Sequence, residues 1–441
     1  MIRRLAFELL RGGGVASRRV GAVAAEHGLE PRDRALLARI VQTEARRRST
    51  LHAMVRAFAK GKPNPDLAAF LRLGFVQLFF LDRVPGHAAV SETVGAASEC
   101  LGLSKGKYVN AVLRTAQRAV REGSSGDPRR DLVGRDLHMG EPLFADPAEH
   151  PHLWAEEALC LPAPLHKGWV KRLGRERADE LASSLLEDPR VSLRVVRGER
   201  EALLAELGGD ELEPTPGEHP AIFTVAPAAV ERVLRTEAFA EGRLTVQGEA
   251  ALHAAELCGA AEGERWLDLC AAPGGKTAVL AGAGAEVVAC DVEEAKLERL
   301  QETVGRLGLA GRVETRLLEP DAPGPGGTFD GVLVDAPCSN TGVLARRPEA
   351  RWRFGPGSRR SLEALQAELL ERAARHVRPG GRLVHSTCSL EPFENEQRVR
   401  SFLEAHGDFT LQADRLTLPR PTDPRGPVDG GYAALLVRAG S

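Results

Sequence analysis

Apolar positions in the first part of the chain recur every three or four residues, as Leu67, Phe70, Leu71, Phe75, Leu78 and Phe79 do. That spacing lines one side of a helix. Pro63, Pro65 and Pro85 punctuate the pattern between helices. An all-helical bundle over residues 1–125 is the expectation. The rhythm stops around GSSGDPRR, and residues 126–150, with repeated prolines, read as a linker. Residues 151–245 carry helical stretches within His152–Leu186 and strand-like runs at Ser192–Val196 and Ala221–Val225. They read as a small α+β unit. From Glu264 the pattern changes again. Short apolar runs (RWLDL, EVVAC, RVETRLL, GVLVDA, GRLVHS) are interspersed with helical stretches from Thr277, Glu293 and Ser361. Such alternation predicts a parallel sheet covered by helices on both faces. FTLQ and GYAALLVR would add an antiparallel hairpin at its edge. Residues 246–441 therefore read as a third, α/β unit of a multidomain chain.

Composition narrows the class. The 441 residues are 43% hydrophobic and 27% charged, which suits a globular core. No apolar run approaches the roughly 18 residues of a membrane helix. Glu8 interrupts the short apolar segment of MIRRLAFELLRGGG, so the start reads as mature. Seven scattered cysteines without paired spacing argue against a disulfide framework or zinc site, and fit a reducing cytoplasm. The net charge of −2 hides an asymmetry: residues 1–121 carry 21 Lys/Arg and 9 Asp/Glu. A basic lobe predicts an anionic partner, nucleic acid first.

The chemistry centres on RWLDLCAAPGGKT, Arg265 to Thr277. It reads as strand, glycine turn, helix start. A phosphate loop would need a glycine where Cys270 stands, and the dinucleotide pattern is also missing. Asp291 closes the next strand, a position suited to ribose hydroxyls. A nucleoside cofactor without pyrophosphate, such as S-adenosylmethionine, fits best. Cys338 and Cys388 each follow a later strand in a polar turn, where thiolates form more readily. The other five cysteines read as packing residues.

DLCAAPGGKT, DAPCSNTGV and STCS, joined by RRPEARWRF and LQAELLERAARHVRPGGRLV, resemble the RNA cytosine-5 methyltransferases of the RsmB/NOP/NSUN family. EPRDRALLARIV, LRLGFVQLFFLDRVPGHAAVSETV and KYVNAVLR resemble the helical RNA-binding domain called NusB. Together the resemblance implies a NusB-like bundle, a small RNA-contacting α+β domain, and a Rossmann-like class I methyltransferase domain. It implies methylation of carbon 5 of a cytosine in 16S ribosomal RNA. Cys388 would be the nucleophile, Cys338 would assist proton removal and product release, and Asp335 would hold the cytosine edge. The turn Cys270, Ala271, Ala272, Pro273, Gly274, Gly275 and Lys276, with Asp291, Asp321 and Asp335, would seat S-adenosylmethionine. Arg32 and Arg34, with Arg46, Arg47 and Arg48, are candidate phosphate contacts. Arg346, Arg347, Arg351 and Trp352 lie in an arginine-rich loop after Cys338, and mixed cations and aromatics suit RNA. No metal or membrane is implied, and a monomer is expected.

Two departures stand out. The family's usual Val-Gln-Asp is Val246-Gln247-Gly248 here, and its Asp-Gly-Phe-Phe is Asp429-Gly430-Gly431-Tyr432. The alternatives are the same chemistry on transfer RNA or 23S ribosomal RNA, and a noncatalytic RNA-binding or antitermination factor. The NusB-like front favours the small-subunit target, and the intact Cys338, Cys388 and Asp335 argue for catalysis.

Overall fold

A computed structural model describes every residue except 13–14, 209–211, 320–323, 421–428 and 441. The chain divides into two compact units, Met1–Glu187 and Asp188–Ser441. The division falls inside the expected 151–245 unit. The helices of that stretch up to Ser184 cluster with the first unit and its strands with the second.

The first unit contains α1 (Ile2–Arg11), α2 (Ala16–Glu26), α3 (Pro31–Phe58), α4 (Pro65–Phe79), α5 (Gly86–Leu101) and α6 (Leu103–Ala119). Local chemistry sets the start of α4: Pro65 begins it, and the Asn64 side chain accepts from the Leu67 amide at 2.8 Å. Buried Phe70, Leu71 and Phe75 lie on α4 as their spacing requires. A short hairpin, β1 (Val120–Glu122) with β2 (Leu137–Met139), follows. Residues 126–150 thus carry a paired strand, with Leu132, Met139 and Phe144 buried. Helices α7 (Pro151–Ala158), α8 (Ala163–Leu173) and α9 (Arg175–Ser184) complete the unit.

The second unit begins with β3 (Val191–Val195), α10 (Arg200–Glu206), β4 (Thr215–Pro216), β5 (Ile222–Val225), α11 (Val230–Leu234), α12 (Glu237–Ala240) and β6 (Leu244–Val246). Its strands form an antiparallel sheet in the order β4-β5-β3-β6. Leu193, Val195, Phe223, Val225 and Leu244 make one face apolar. Then come α13 (Glu249–Glu256), β7 (Arg265–Asp268), α14 (Gly275–Gly282), β8 (Glu286–Asp291), α15 (Glu294–Arg306), β9 (Val313–Leu317) and β10 (Phe329–Asp335). Finally come α16 (Pro356–His376), β11 (Val377–Thr387), α17 (Glu396–Ala405), β12 (Phe409–Thr417) and β13 (Gly431–Arg438).

These later strands build one sheet in the order β12-β13-β11-β10-β7-β8-β9. From β11 to β9 the pairs are parallel, and β13 runs antiparallel to β11 and β12. The expected edge hairpin is present. Alternation along the strands sorts the two faces. Val332 and Val334 join one core with Leu267 and Leu383, while Leu333 joins another with Trp266 and Val384. The chain winds outward through β8 and β9, then crosses back to place β10 on the other side of β7. That reversal opens a crevice at the carboxyl ends of β7 and β10, where ligands bind in such sheets.

Candidate active site

The turn after β7 is held mainly by its own backbone. The Ala271 amide donates to the Cys290 carbonyl at 2.9 Å and the Gly274 amide to the Ala271 carbonyl at 2.8 Å. Gly274 caps α14 with φ of 96°, in the left-handed region that favours glycine. Asp268 is fully buried at the end of β7, and its Oδ2 accepts from Thr277 Oγ1 at 2.8 Å. Burial pushes its carboxyl up to about 7, against the Thr277 bond. Asp291 Oδ1, at the end of β8, accepts from the Val292 amide at 2.8 Å and from Lys296 Nζ at 3.4 Å. Asp321 lies outside the described residues.

Lys276 reaches from this turn to the neighbouring strand. Its Nζ donates to Asp335 Oδ2 at 2.6 Å, and Ser386 Oγ donates to Asp335 Oδ1 at 3.2 Å. Burial opposes the Lys276 charge, but Asp335, then Cys388 and Asp268, outweigh it and raise its pKa above the ordinary value.

Beyond Asp335 the thiols meet. Cys338 Sγ and Cys388 Sγ are 3.1 Å apart, on loops that leave the adjacent parallel strands β10 and β11. Both are free thiols. The Cys388 thiol also points to Asn340 Oδ1 at 3.3 Å. Hydrogen bonding to Cys388, then burial, holds the Cys338 thiol well above the usual range, so Cys338 keeps its proton. Cys258, Cys270 and Cys290 are pushed up by burial, Cys290 to about 12, as packing thiols are.

A layer of polar side chains underlies both loops. The Gly342 amide donates to the Cys388 carbonyl at 3.0 Å, and Thr341 Oγ1 accepts from the Leu390 amide at 2.8 Å. Thr387 Oγ1 donates to Asn395 Oδ1 at 2.6 Å, and Asn395 Nδ2 returns a bond to the Ser389 carbonyl at 2.9 Å. Glu394, fully buried, accepts from the Ser339 amide at 2.9 Å and from Gln366 Nε2 at 3.0 Å. Glu394 and Asn395 lie outside the quoted motifs, and Asn340, Thr341 and Gln366 lie inside them without being singled out. Their signal is the density of polar residues beside each cysteine.

The arginine expectations divide. Arg32 and Arg34 are exposed near the start of α3, and Arg347 is exposed beside Asn340, to whose Oδ1 it donates at 2.7 Å. Arg351 is only 1% exposed and donates to the Leu344 carbonyl, so it packs the loop and does not face RNA. Arg346 is a strut: Nε donates to both Asp429 oxygens at 2.7–2.8 Å and Nη2 to the Arg190 carbonyl at 2.9 Å. Trp352 is half-buried. Arg46 and Arg47 are buried as well. Arg47 donates to the Val133 and Leu186 carbonyls and covers the Phe80 ring. Arg48 pairs with buried Glu44 at 2.9 Å. Carbonyls and the Phe80 ring hold Arg47 and a buried acid holds Arg48 inside the unit, which a sequence count of charge cannot reveal.

Residues 256–423 match the family described as 16S rRNA methyltransferase RsmB/F, and residues 3–118 match the NusB family. The ribosomal RNA small subunit methyltransferase B of Vibrio cholerae is 34% identical over 94% of this chain and 92% of its own. That of Pseudomonas putida is 33% identical over 85% and 82%. The chain belongs to the ribosomal RNA small subunit methyltransferase B family. The crystal structure of PH0851 superposes with a TM-score of 0.75 at 25% identity, covering 99% of this chain and 98% of that one. NSun6 from Pyrococcus horikoshii, solved with SFG, shares the fold at a TM-score of 0.54 and 20% identity, over 64% of this chain and 99% of that one.

Membership of the methyltransferase B family gives the Gly248 departure a structural setting. A Cβ at Gly248 would lie 3.0 Å from Asp429 Oδ2, so the Asp429 carboxylate already fills that space. Gln247 is buried beside it and donates to the Gly275 carbonyl at 3.1 Å. Among the described residues no group of three or more acids, histidines and cysteines is arranged to hold a metal ion.

Proposed function

We propose that this protein methylates carbon 5 of a cytosine in 16S ribosomal RNA, with S-adenosylmethionine as methyl donor and a covalent Cys388–cytosine adduct as intermediate. The observation that carries this reading is the pair of free thiols 3.1 Å apart, beside an Asp335–Lys276 ion pair at the switch point of the sheet. The names of the family's curated relatives favour the small-subunit target.

The cofactor turn fits the donor. Gln247 Oε1 and Asp268 Oδ1 are buried there without hydrogen-bond partners, and Asp291 offers a carboxylate at the end of β8. Bound S-adenosylmethionine would supply an electrophilic methyl group. Cys270 to Lys276 and Asp291 would hold it.

Carbon 5 of cytosine is a weak nucleophile. A Cys388 thiolate adding to carbon 6 makes the ring an enamine, and carbon 5 can then take the methyl group. The ring nitrogen takes a proton from solvent as charge develops there, and the Asp335 carboxylate, held by Lys276 and Ser386, would accept the hydrogen bond from that N–H. As the C6–S bond breaks, the Cys338 thiol would pass its proton to the departing Cys388 sulfur, 3.1 Å away, and take up the carbon-5 proton in its place. The target base must leave its stack to reach these thiols.

The test is a pair of substitutions. Cys338→Ala should accumulate an RNA adduct that survives denaturation, and Cys388→Ala should give neither adduct nor methylated RNA. An adduct in Cys388→Ala but not in Cys338→Ala would exchange the roles. Wild-type protein that leaves undermethylated 16S RNA unlabelled but labels transfer or 23S RNA would move the substrate. No labelling of any RNA would favour a noncatalytic factor.

A further inference from the structure

Glu394 touches neither thiol, yet its carboxylate binds the residue next to each. Oε1 accepts from the Ser339 amide at 2.9 Å and from Gln366 Nε2 at 3.0 Å, and Oε2 accepts from the hydroxyls of Ser339 and Ser389. Those hydroxyls lie 3.0 Å apart. Ser339 directly follows Cys338, and Ser389 directly follows Cys388. Gln366, on α16, also donates to the Pro337 carbonyl at 2.9 Å, just before Cys338. The Glu394 carbonyl accepts from His385 Nε2 at 2.8 Å, which anchors the residue to β11. A fully buried carboxylate is costly unless saturated, and four donors saturate this one. Bonds to a charged acceptor are shorter and stronger than neutral ones and fix direction as well as distance. Apolar packing could hold two loops together, but it would leave each thiol free to turn.

We propose that Glu394 is the positioning residue of the cysteine pair, fixing the separation and direction of Cys338 and Cys388 by clamping the serine after each. The catalytic part of this inference rests on the proposed function, but the thiol geometry does not. A thiol misplaced by about 1 Å costs on the order of 100-fold in rate. Glu394 has no bond to the cofactor turn in this arrangement, so donor binding should survive its loss.

The test uses the full chain with Glu394→Ala and Glu394→Gln. One readout is diamide oxidation. The two thiols release two protons and two electrons, a Cys338–Cys388 bond forms, and the azo group of diamide is reduced to the hydrazine. Peptide mapping by mass spectrometry follows the product. Wild-type protein should form this disulfide first among its seven cysteines. Glu394→Ala should form it about tenfold more slowly and methylate with kcat lowered about 100-fold, with the S-adenosylmethionine KM within about twofold. Glu394→Gln keeps the size and an acceptor oxygen and should recover part of both. It also removes a negative charge that helps hold the Cys338 thiol up, so its pH–rate profile should move to lower pH. That readout decides the matter even if Glu394→Ala does not fold. Wild-type disulfide rate and kcat in Glu394→Ala would overturn the proposal. So would a Glu394→Gln protein that loses donor binding in step with kcat and keeps the wild-type pH profile. A protein that methylates no RNA but keeps the disulfide contrast would sink the proposed function and leave the clamp standing.

Discussion

The turn after β7 and the loops after β10 and β11 share one sheet edge but are held by different bonds. The first is a contiguous run of residues. Its shape comes from backbone bonds, one within the turn and one to β8, and a glycine at φ of 96°. The second gathers Cys338, Gln366, Cys388 and Glu394 from separate stretches, and side-chain bonds hold them. A backbone-built turn tolerates side-chain change but not a change at its glycine. A side-chain-built site tolerates backbone variation but depends on each polar partner being present. Damage to the first should therefore appear in donor affinity, and damage to the second in kcat.

Lys276 tests that division most severely, because it is rooted in the first region and bonded to Asp335 in the second. Lys276→Met should lower methylation by about 100- to 1000-fold, the usual effect of removing one preorganised charge from an active site. Lys276→Arg should not restore it, since a planar guanidinium cannot replace a compact ammonium here. Methylation assays with donor binding measured by calorimetry separate the two contributions. Activity within tenfold of wild type in Lys276→Met would mean that the regions work independently.

His385 gives the cysteine side a pH signature. It is fully buried on β11, and burial holds its pKa at about 4, against its bond to the Glu394 carbonyl. An unfolded histidine takes a proton near 6.5. Between about 6.5 and 4 the unfolded chain binds a proton that the folded chain does not, so this contribution to stability is lost as pH falls through that window. At 1.36 kcal/mol per pH unit the loss is about 3 kcal/mol. Urea unfolding at pH 7, 5.5 and 4.5 should show the gap between wild type and His385→Gln changing by about 2.5 kcal/mol, most of that loss. A gap independent of pH would show that His385 does not titrate differently on folding.

Gly274 is the matching probe of the cofactor side. A Cβ there would lie 2.9 Å from Leu300 Cγ, at a φ that side chains rarely adopt. Gly274→Ala should cost about 1–3 kcal/mol of stability and weaken S-adenosylmethionine binding. The rate of Cys338–Cys388 disulfide formation should stay as in wild type. A slower disulfide would show strain passing from one region to the other.

The same contrast explains what was legible in the sequence. The sheet, its edge hairpin and the glycine turn announce themselves through periodicity and contiguous motifs. The two cysteines follow from strand ends. Glu394 was not legible, because its partners Ser339 and Gln366 are distant in sequence and no spacing predicts their meeting. Burial was the other blind spot. Arg47 and Arg351 read as solvent cations by composition, but each finds backbone carbonyls inside the fold. The split at Glu187 was hidden because helices on both sides of residue 150 share one unit, and the prolines between them mark loops of that unit.

The smallest expected effect belongs to Arg347, where the cysteine side reaches solvent. Its side chain is exposed and donates to Asn340 Oδ1, whose residue also meets the Cys388 thiol. If it contacts an RNA phosphate, Arg347→Ala should weaken RNA binding a few-fold. The slope of log affinity against log salt should become shallower by about 0.7, the value for one phosphate contact on a single strand. Donor affinity should not change. Electrophoretic mobility shifts across a salt series, with donor calorimetry alongside, distinguish this from indirect damage. A lower kcat with an unchanged salt slope would mean that Arg347 acts through Asn340 on the thiols, as part of the side-chain network, and not on the RNA.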